Sequence, residues 1–128
     1  MGIHVQQDQI QPTIILWTMT GHWSVADLEQ ALQVNAQLLA AATQRMDFVI
    51  DISRGGLIPP QFIGFLRKYK SSHHPMEGFK VVIGADHYLR IFWQGLSDYL
   101  PRYWQVHFAD SMVAARALLA KQRDSIPS

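Results

Sequence analysis

The sequence contains no cysteine, which excludes disulfides, cysteine nucleophiles, and zinc or iron–sulfur sites built on thiolates. It also has little net charge, because 11 basic residues stand against 10 acidic ones and leave a balance of +1. Nucleic-acid-binding domains usually present a clustered basic face, so we expect no nucleic acid partner.

Long apolar runs are absent as well. No uninterrupted run approaches the ~20 apolar residues that span a bilayer, so we expect no membrane insertion. The first residues, "MGIHVQQDQIQP", lack the basic start and apolar stretch of a signal peptide. Gln6 stands where a myristoylation motif requires Ser or Thr. These features predict a cytoplasmic protein.

The remaining composition is that of a folded domain. Hydrophobic residues make up 48% of the 128 residues and charged residues 16%, which is typical of a chain with a well-filled core. The length fits one domain that buries roughly two thirds of its unfolded surface. We predict a single domain over 1–128, with an ordered core at about 13–122 and a final "DSIPS" that frays.

Hydrophobic periodicity predicts strands that alternate with helices. The predicted strands are "TIILWTMTG" (13–21), "MDFVIDIS" (46–53), "FKVVIGA" (79–85) and "WQVHFA" (104–109), and "IHVQQDQI" (3–10) is compatible with a short strand paired to the first across the Gln11-Pro12 turn. The predicted helices are 22–44, 59–70, 87–100 and 112–123. Short connections between these elements predict an α/β fold: a mixed, mostly parallel sheet of four to five strands with four helices packed on it.

Polar residues follow the predicted strands. Parallel sheets usually hold ligands at the carboxyl ends of their strands, so these residues form a plausible rim for a site. They are His22, Ser53, Arg54, Asp86, His87, Asp110 and Ser111. A second interpretation is structural: Ser24 (with Asp27 in a capping box), Asp86 and Asp110 or Ser111 stand where helix N-caps are expected.

Asp51 has two interpretations of its own. An acid near the end of a buried strand can act as a base or hold a cation, and it can also accept backbone N–H bonds from the loop that follows. With Asp86 and His87 it forms the acid–base set of a weaker, enzymatic alternative.

Motifs of established chemistry are missing. The sequence has no Gly-x-Ser-x-Gly elbow, no Gly-x-x-x-x-Gly-Lys loop and no Gly-x-Gly-x-x-Gly fingerprint, which argues against nucleotide hydrolysis and Rossmann-type redox chemistry. His73 and His74 are adjacent, stand before Pro75 and have no third ligand nearby. We therefore expect no metal site and no cofactor.

The third predicted helix is rich in aromatic residues. Six of the chain's aromatic residues lie between positions 88 and 104. At 100° per residue, seven apolar side chains of this helix sweep about 140°, whereas one packed face needs roughly 100°. In angular order they are Tyr88, Tyr99, Phe92, Leu96, Leu89, Leu100 and Trp93, and Ile91 lies outside the arc. The surplus indicates a thicker core, a surface for a partner, or the wall of a lipophilic pocket lined by Tyr88, Phe92 and Trp93, with Arg54 and His87 at its rim.

The order of these elements resembles that of the STAS family, the sulfate-transporter and anti-sigma-factor-antagonist domains, and particularly its SpoIIAA-like members. The resemblance spans residues 13–122 and depends on "MTGHWS" (19–24), "FVIDIS" (48–53) and "VHFADSMVAARALL" (106–119). It implies a mixed sheet with helices on its faces, and regulatory protein binding rather than catalysis.

Phosphorylatable STAS members carry a serine or threonine at the start of the helix that follows the Asp-ending strand. The matching segment here, "LIPPQF" (57–62), contains no hydroxyl, and the nearest, Ser53, stands at the strand end. The resemblance thus implies a module that is not regulated by phosphorylation at the usual family site.

Together these patterns predict a non-enzymatic STAS-like regulatory or scaffolding domain that binds a protein partner or forms a homodimer. The residues that we expect at the binding surface are Ser53, Arg54, Pro59, Phe62, Asp86, His87, Tyr88, Phe92 and Trp93. The alternatives are a domain that binds a small lipophilic or anionic ligand, and the enzyme with Asp51, Asp86 and His87.

Overall fold

A computed structural model describes residues 2–55, 74–97 and 106–124, together with Gly64. The strands in these segments are β1 (Ile3–Gln7), β2 (Ile14–Gly21), β3 (Met46–Gly55), β4 (Glu77–Ile83) and β5 (His107–Ala109); the helices are α1 (Val25–Ala40), α2 (His87–Ser97) and α3 (Met112–Asp124). The predicted α/β class is confirmed. Three of the four predicted helices are described, and the other, 59–70, lies outside the described residues.

The five strands form one sheet in the order β1-β2-β3-β4-β5. β1 pairs with β2 antiparallel, and the remaining neighbours are parallel, so the predicted mixed, mostly parallel sheet is confirmed. The short polar strand before Thr13 is real and closes a hairpin in which Asp8 N donates to Ile14 O at 2.9 Å. Val5 of this strand is buried, so the folded sheet begins earlier than the predicted core.

Helices cover both faces of the sheet, which explains why the central strand β3 is apolar nearly throughout. Successive side chains of a strand point to opposite faces. Phe48 therefore packs with the α1 residues Leu28 and Leu39, whereas Val49 packs with Ala115 and Leu119 of α3.

The first helix begins where the sequence predicts. Ser24 Oγ accepts from Asp27 N at 3.1 Å and Asp27 Oδ2 accepts from Ser24 N at 3.0 Å, which completes a capping box. The buried face of α1 includes one polar residue, Asn35, whose Oδ1 accepts from Trp17 Nε1 at 3.2 Å. A buried indole N–H requires such a partner, so this pair fixes α1 over β2.

The carboxyl edge of the sheet is stepped. β3 pairs with β4 as far as Asp51 and Ile83, whereas its pairing with β2 continues to Gly55. The chain leaves β4 through Gly84, whose φ is +85°. A Cβ there would lie 2.6 Å from the Ser53 backbone nitrogen, so this crossing of two strand ends requires glycine.

Candidate functional site

Asp51 lies near the carboxyl end of β3, two residues before Ser53 of the predicted polar rim. Its Oδ1 accepts from the Ser53 backbone N at 2.9 Å and from Ser53 Oγ at 2.6 Å. The carboxylate therefore holds the strand end in shape, which is the structural interpretation of this residue. It also brings two of the expected site residues together.

The start of α2 uses Asp86 as a cap. Asp86 Oδ1 accepts from Leu89 N at 2.8 Å, and its backbone carbonyl accepts the first helical bond, from Arg90 N at 3.1 Å. His87 is exposed, and its ring lies edge-on to that of Tyr88 with 6.0 Å between the centroids. Asp86 thus has a structural role that the sequence already offered as one interpretation.

Arg90, which the sequence did not single out, joins two loops of this edge. It donates from Nε to Ala85 O at 3.2 Å and from Nη2 to Asp110 Oδ1 at 3.0 Å, and its guanidinium lies 5.4 Å from the Phe108 ring centroid. The Asp110 side chain is 93% exposed, so this ion pair orients the loops and contributes little stability. The cap of α3 is Ser111, whose Oγ accepts from Ala114 N at 3.1 Å.

The remaining predicted residues are dispersed. His22 is exposed just after the end of β2, and Arg54 is exposed near the end of β3. Pro59, Phe62 and His73 lie outside the described residues. His74 Nδ1 accepts from Met76 N at 3.1 Å, and among the residues that the structure describes no three His, Asp or Glu side chains are placed to share a metal ion.

One face of α2 is apolar and exposed. Tyr88, Ile91 and Phe92 are 81%, 52% and 40% exposed. Their spacing of three and four residues places them side by side on the helix, and we call them the α2 patch. Leu89 and Trp93 are half-buried, so the helix packs inward through the other end of its aromatic arc. Ile91, which the sequence placed outside that arc, belongs to the patch.

A second polar cluster, at the amino ends of the strands, was not predicted. Asp47 of β3 is fully buried. Its Oδ2 accepts from Arg123 Nε at 2.7 Å, and its Oδ1 accepts from Phe79 N at 3.0 Å and lies 3.8 Å from Arg45 Nε. A side chain at Gly78 would collide with this carboxylate. The buried acid thus connects β3, β4 and the last turn of α3.

Beside it, Arg116 of α3 grips Asp8 in the β1–β2 hairpin. Nη1 and Nη2 of Arg116 donate to the two carboxylate oxygens of Asp8 at 2.7 and 3.0 Å, and Nη1 also donates to Gln11 Oε1 at 2.7 Å. These bonds lower the pKa of Asp8 and raise the pKa of Arg116, although burial opposes both shifts. The bidentate geometry fixes α3 against the hairpin.

Lys80 of β4 is a further charged group that the sequence did not indicate. Its Nζ lies 5.2 Å from the Phe48 ring centroid and 3.7 Å from Glu77 Oε2. Burial lowers the pKa of Lys80, and the Glu77 carboxylate acts in the opposite direction. The lysine ammonium is therefore partly desolvated on the sheet.

Comparison with known proteins adds no assignment. The chain matches no protein-family model, and no curated protein matches it. No helix in the described part of the chain is long and apolar enough to cross a membrane. The resemblance to the STAS family therefore stays a prediction, and the geometry above carries the functional argument.

Proposed function

We propose that this chain is a non-enzymatic, STAS-like regulatory or scaffolding domain that binds a protein partner, or a second copy of itself, through the α2 patch. The observation that carries the proposal is the exposure of Tyr88, Ile91 and Phe92 on one helix face. Single exposed apolar residues are ordinary, but a contiguous group marks a surface that is covered in a complex.

The size of the patch sets the kind of interface. Its three side chains expose on the order of 300 Å² of largely apolar surface, similar to the largest patch on a typical monomer. Burying that area contributes about 6–10 kcal/mol, which the roughly 4–15 kcal/mol entropic cost of association offsets. The patch is therefore the centre of a larger interface of about 800 Å² per partner. Exposed His87 and Gln94 lie beside it as polar rim residues.

The local chemistry of Ser53 supports the absence of a phosphorylation switch. Its hydroxyl donates to Asp51 at 2.6 Å. A phosphoryl group at that oxygen would stand against a carboxylate, and like charges repel. With no hydroxyl between positions 57 and 62, the family's usual regulatory step has no acceptor in this sequence.

The exposed side chains of α2 and the hydrogen bonds of two carboxylates also bear on the small-ligand and enzyme alternatives. Tyr88 and Phe92 are exposed, which favours a surface for a macromolecule over the enclosing wall of a small-ligand pocket. Asp51 and Asp86 each direct a carboxylate oxygen to neighbouring N–H groups, which supports a structural rather than an acid–base role. Both observations favour the binding domain over the ligand binder and the enzyme.

The test compares two charge insertions. Ile91→Glu places a charge within the patch, and Val113→Glu places one at an 80% exposed apolar position on α3 as the matched control. We expect the unmodified protein to self-associate in light scattering or to bind a hydrophobic dye, and Ile91→Glu to lose that behaviour while Val113→Glu keeps it. A strict monomer without dye binding, or equal effects of both substitutions, would contradict the proposal. Native mass spectrometry then separates a second copy from a different retained partner.

A further inference from the structure

A cavity lies at the opposite edge of the sheet from the α2 patch. It is half open to solvent, has a volume of about 190 Å³ and is lined by α3 and by the amino ends of β2 and β3. Arg116 and Arg123 line it from α3, two helical turns apart, with Leu119 and Ala120 between them. Gln11 and Thr13 line it from the hairpin side, where the Gln11 side chain accepts from Arg116.

The arginines of this cavity have more donors than the protein uses. A guanidinium carries five N–H groups. Arg116 donates to Asp8 and Gln11 through both hydrogens of Nη1 and one of Nη2, which leaves Nε–H and one Nη2–H without a partner among the described residues. Arg123 donates from Nε to Asp47 and from Nη2 to Arg45 O, which leaves both hydrogens of Nη1 and one of Nη2.

The side-chain oxygens of Asp47 and Gln11 in the cavity already accept hydrogen bonds. Asp47 is the carboxylate that lines it, and each of its oxygens accepts a bond, one from Arg123 and one from Phe79 N. The oxygen of the Gln11 side chain accepts from Arg116. These oxygens already have partners, whereas several N–H groups of Arg116 and Arg123 have none among the described residues, which favours a ligand that brings acceptors.

The charge and the volume of the cavity limit the kind of ligand that it can bind. Arg116 and Arg123 line the cavity against one carboxylate, that of the fully buried Asp47, so its lining has one positive charge in excess; Asp8 and Arg45 lie outside the lining. Pockets for drug-sized ligands start at about 300 Å³. This cavity, at about 190 Å³, has room for about six water molecules. Both arguments favour a small ion with a negative charge.

We propose that this cavity binds a small oxyanion, a carboxylate or phosphate group, between Arg116 and Arg123, with the Thr13 hydroxyl as a further donor. Guanidinium groups suit such ligands because their planar N–H pairs match the spacing of carboxylate and phosphate oxygens. Asp8 and Asp47 hold the two arginines in place, so the site is formed before the ion arrives. The assignment is independent of the α2 patch and differs from the small-ligand pocket expected with Arg54 and His87 at its rim.

The experiment follows the arginine side-chain Nε–H resonances of the full chain by nuclear magnetic resonance. Inorganic phosphate and malonate are titrated separately, with sodium chloride holding the ionic strength constant. We expect the Arg116 Nε–H resonance to shift and saturate with a Kd of about 1 mM or below. Saturation by phosphate alone assigns a phosphate site, and saturation by both assigns a general oxyanion site. No saturable shift with either ion overturns the proposal.

Two substitutions of alanine by leucine test whether the ion binds in this cavity. Ala120→Leu narrows the cavity without replacing an arginine, and Ala117→Leu adds the same group at an exposed position of α3 that does not line it. We expect Ala120→Leu to weaken binding at least tenfold and Ala117→Leu to leave it unchanged, with far-ultraviolet circular dichroism confirming both folds. Equal affinity of Ala120→Leu and the unmodified protein overturns the assignment of the site. If Ala120→Leu does not fold, Thr13→Val makes the same comparison, and there too unchanged affinity overturns the assignment.

Discussion

Replacement of Asp47 by alanine tests whether the buried carboxylate holds the amino end of the sheet together. The side chain is fully buried and accepts from Arg123 Nε at 2.7 Å and from Phe79 N at 3.0 Å. Its removal leaves two donors without their acceptor and detaches the last turn of α3 from β3. The substitution changes no surface residue and leaves the α2 patch intact.

The size of the effect follows from what each partner loses. Removal of one member of a buried ion pair costs about 3–5 kcal/mol. The Arg123 and Arg45 side chains are 31% and 32% exposed, so both guanidiniums regain water and the lower end of that range applies. The loss of the acceptor for Phe79 N adds about 1 kcal/mol. We expect the free energy of unfolding to fall by about 3–4 kcal/mol, a large part of the roughly 5–15 kcal/mol that folded domains have.

Urea unfolding measures this loss, with the fluorescence of the buried Trp17 and Trp23 as the signal. Asp47→Asn should lose less than Asp47→Ala, because the amide oxygen still accepts from Phe79 N. Arg54→Ala, at an exposed position, is the control and should stay within about 0.5 kcal/mol of the unmodified protein. A loss below about 1 kcal/mol in Asp47→Ala would refute the reasoning, since it would mean that the buried carboxylate contributes no more than an exposed one.

Two further substitutions test other contacts. The hydrogen bonds of Arg116 lower the pKa of Asp8 in the folded protein, so the unfolded chain binds the proton more readily. The pair therefore stabilises the fold at pH values above the unfolded pKa of about 3.9. That stability is lost as the pH falls through the lower pKa of the folded state. Asp8→Asn should therefore flatten the acid side of a plot of urea midpoint against pH, and an unchanged slope would contradict this. Gly84→Ala should lower the free energy of unfolding by about 1–3 kcal/mol, since the residue has φ of +85° and its Cβ meets Ser53. Gly95→Ala, in open space on α2, should instead raise it by about 0.5–1 kcal/mol, and equal effects would exclude the proposed collision.

The sequence predicted those features of the fold that local patterns determine. "FVIDIS" indicated a strand buried on both faces, and β3 is the central strand of the sheet. Ser24, Asp86 and Ser111 stood at predicted caps, and each accepts the N–H of the residue three positions on. A cap depends on neighbours within one turn, so its signal is present in the sequence. The strand order depends on pairing between distant segments and required the structure.

The ion pairs at the amino edge show why the rest was missed. Asp47 stands within an apolar strand, and its partner Arg123 is 76 residues away; Asp8 and Arg116 are 108 residues apart. No spacing rule connects residues at such separations. The α2 patch was missed in part for a related reason. Periodicity gives the width of an apolar arc, but packing against the sheet decides which end of the arc is buried, and Ile91 joined the exposed end.

The two proposed binding surfaces follow from where unsatisfied groups remain in the described residues. At the carboxyl edge, where parallel sheets usually bind ligands, Asp51 and Asp86 already accept local N–H groups, and Arg90 joins the loops to each other. At the amino edge, the carboxylates are also paired, but Arg116 and Arg123 each have more N–H donors than the described residues supply acceptors for. Binding energy comes from groups that a partner satisfies and the free protein does not. That criterion is the basis for proposing an ion at the arginines of the amino edge and a macromolecule at the apolar face of α2. At the carboxyl edge, the bonds of Asp51, Asp86 and Arg90 to neighbouring loops are those of residues that hold the fold.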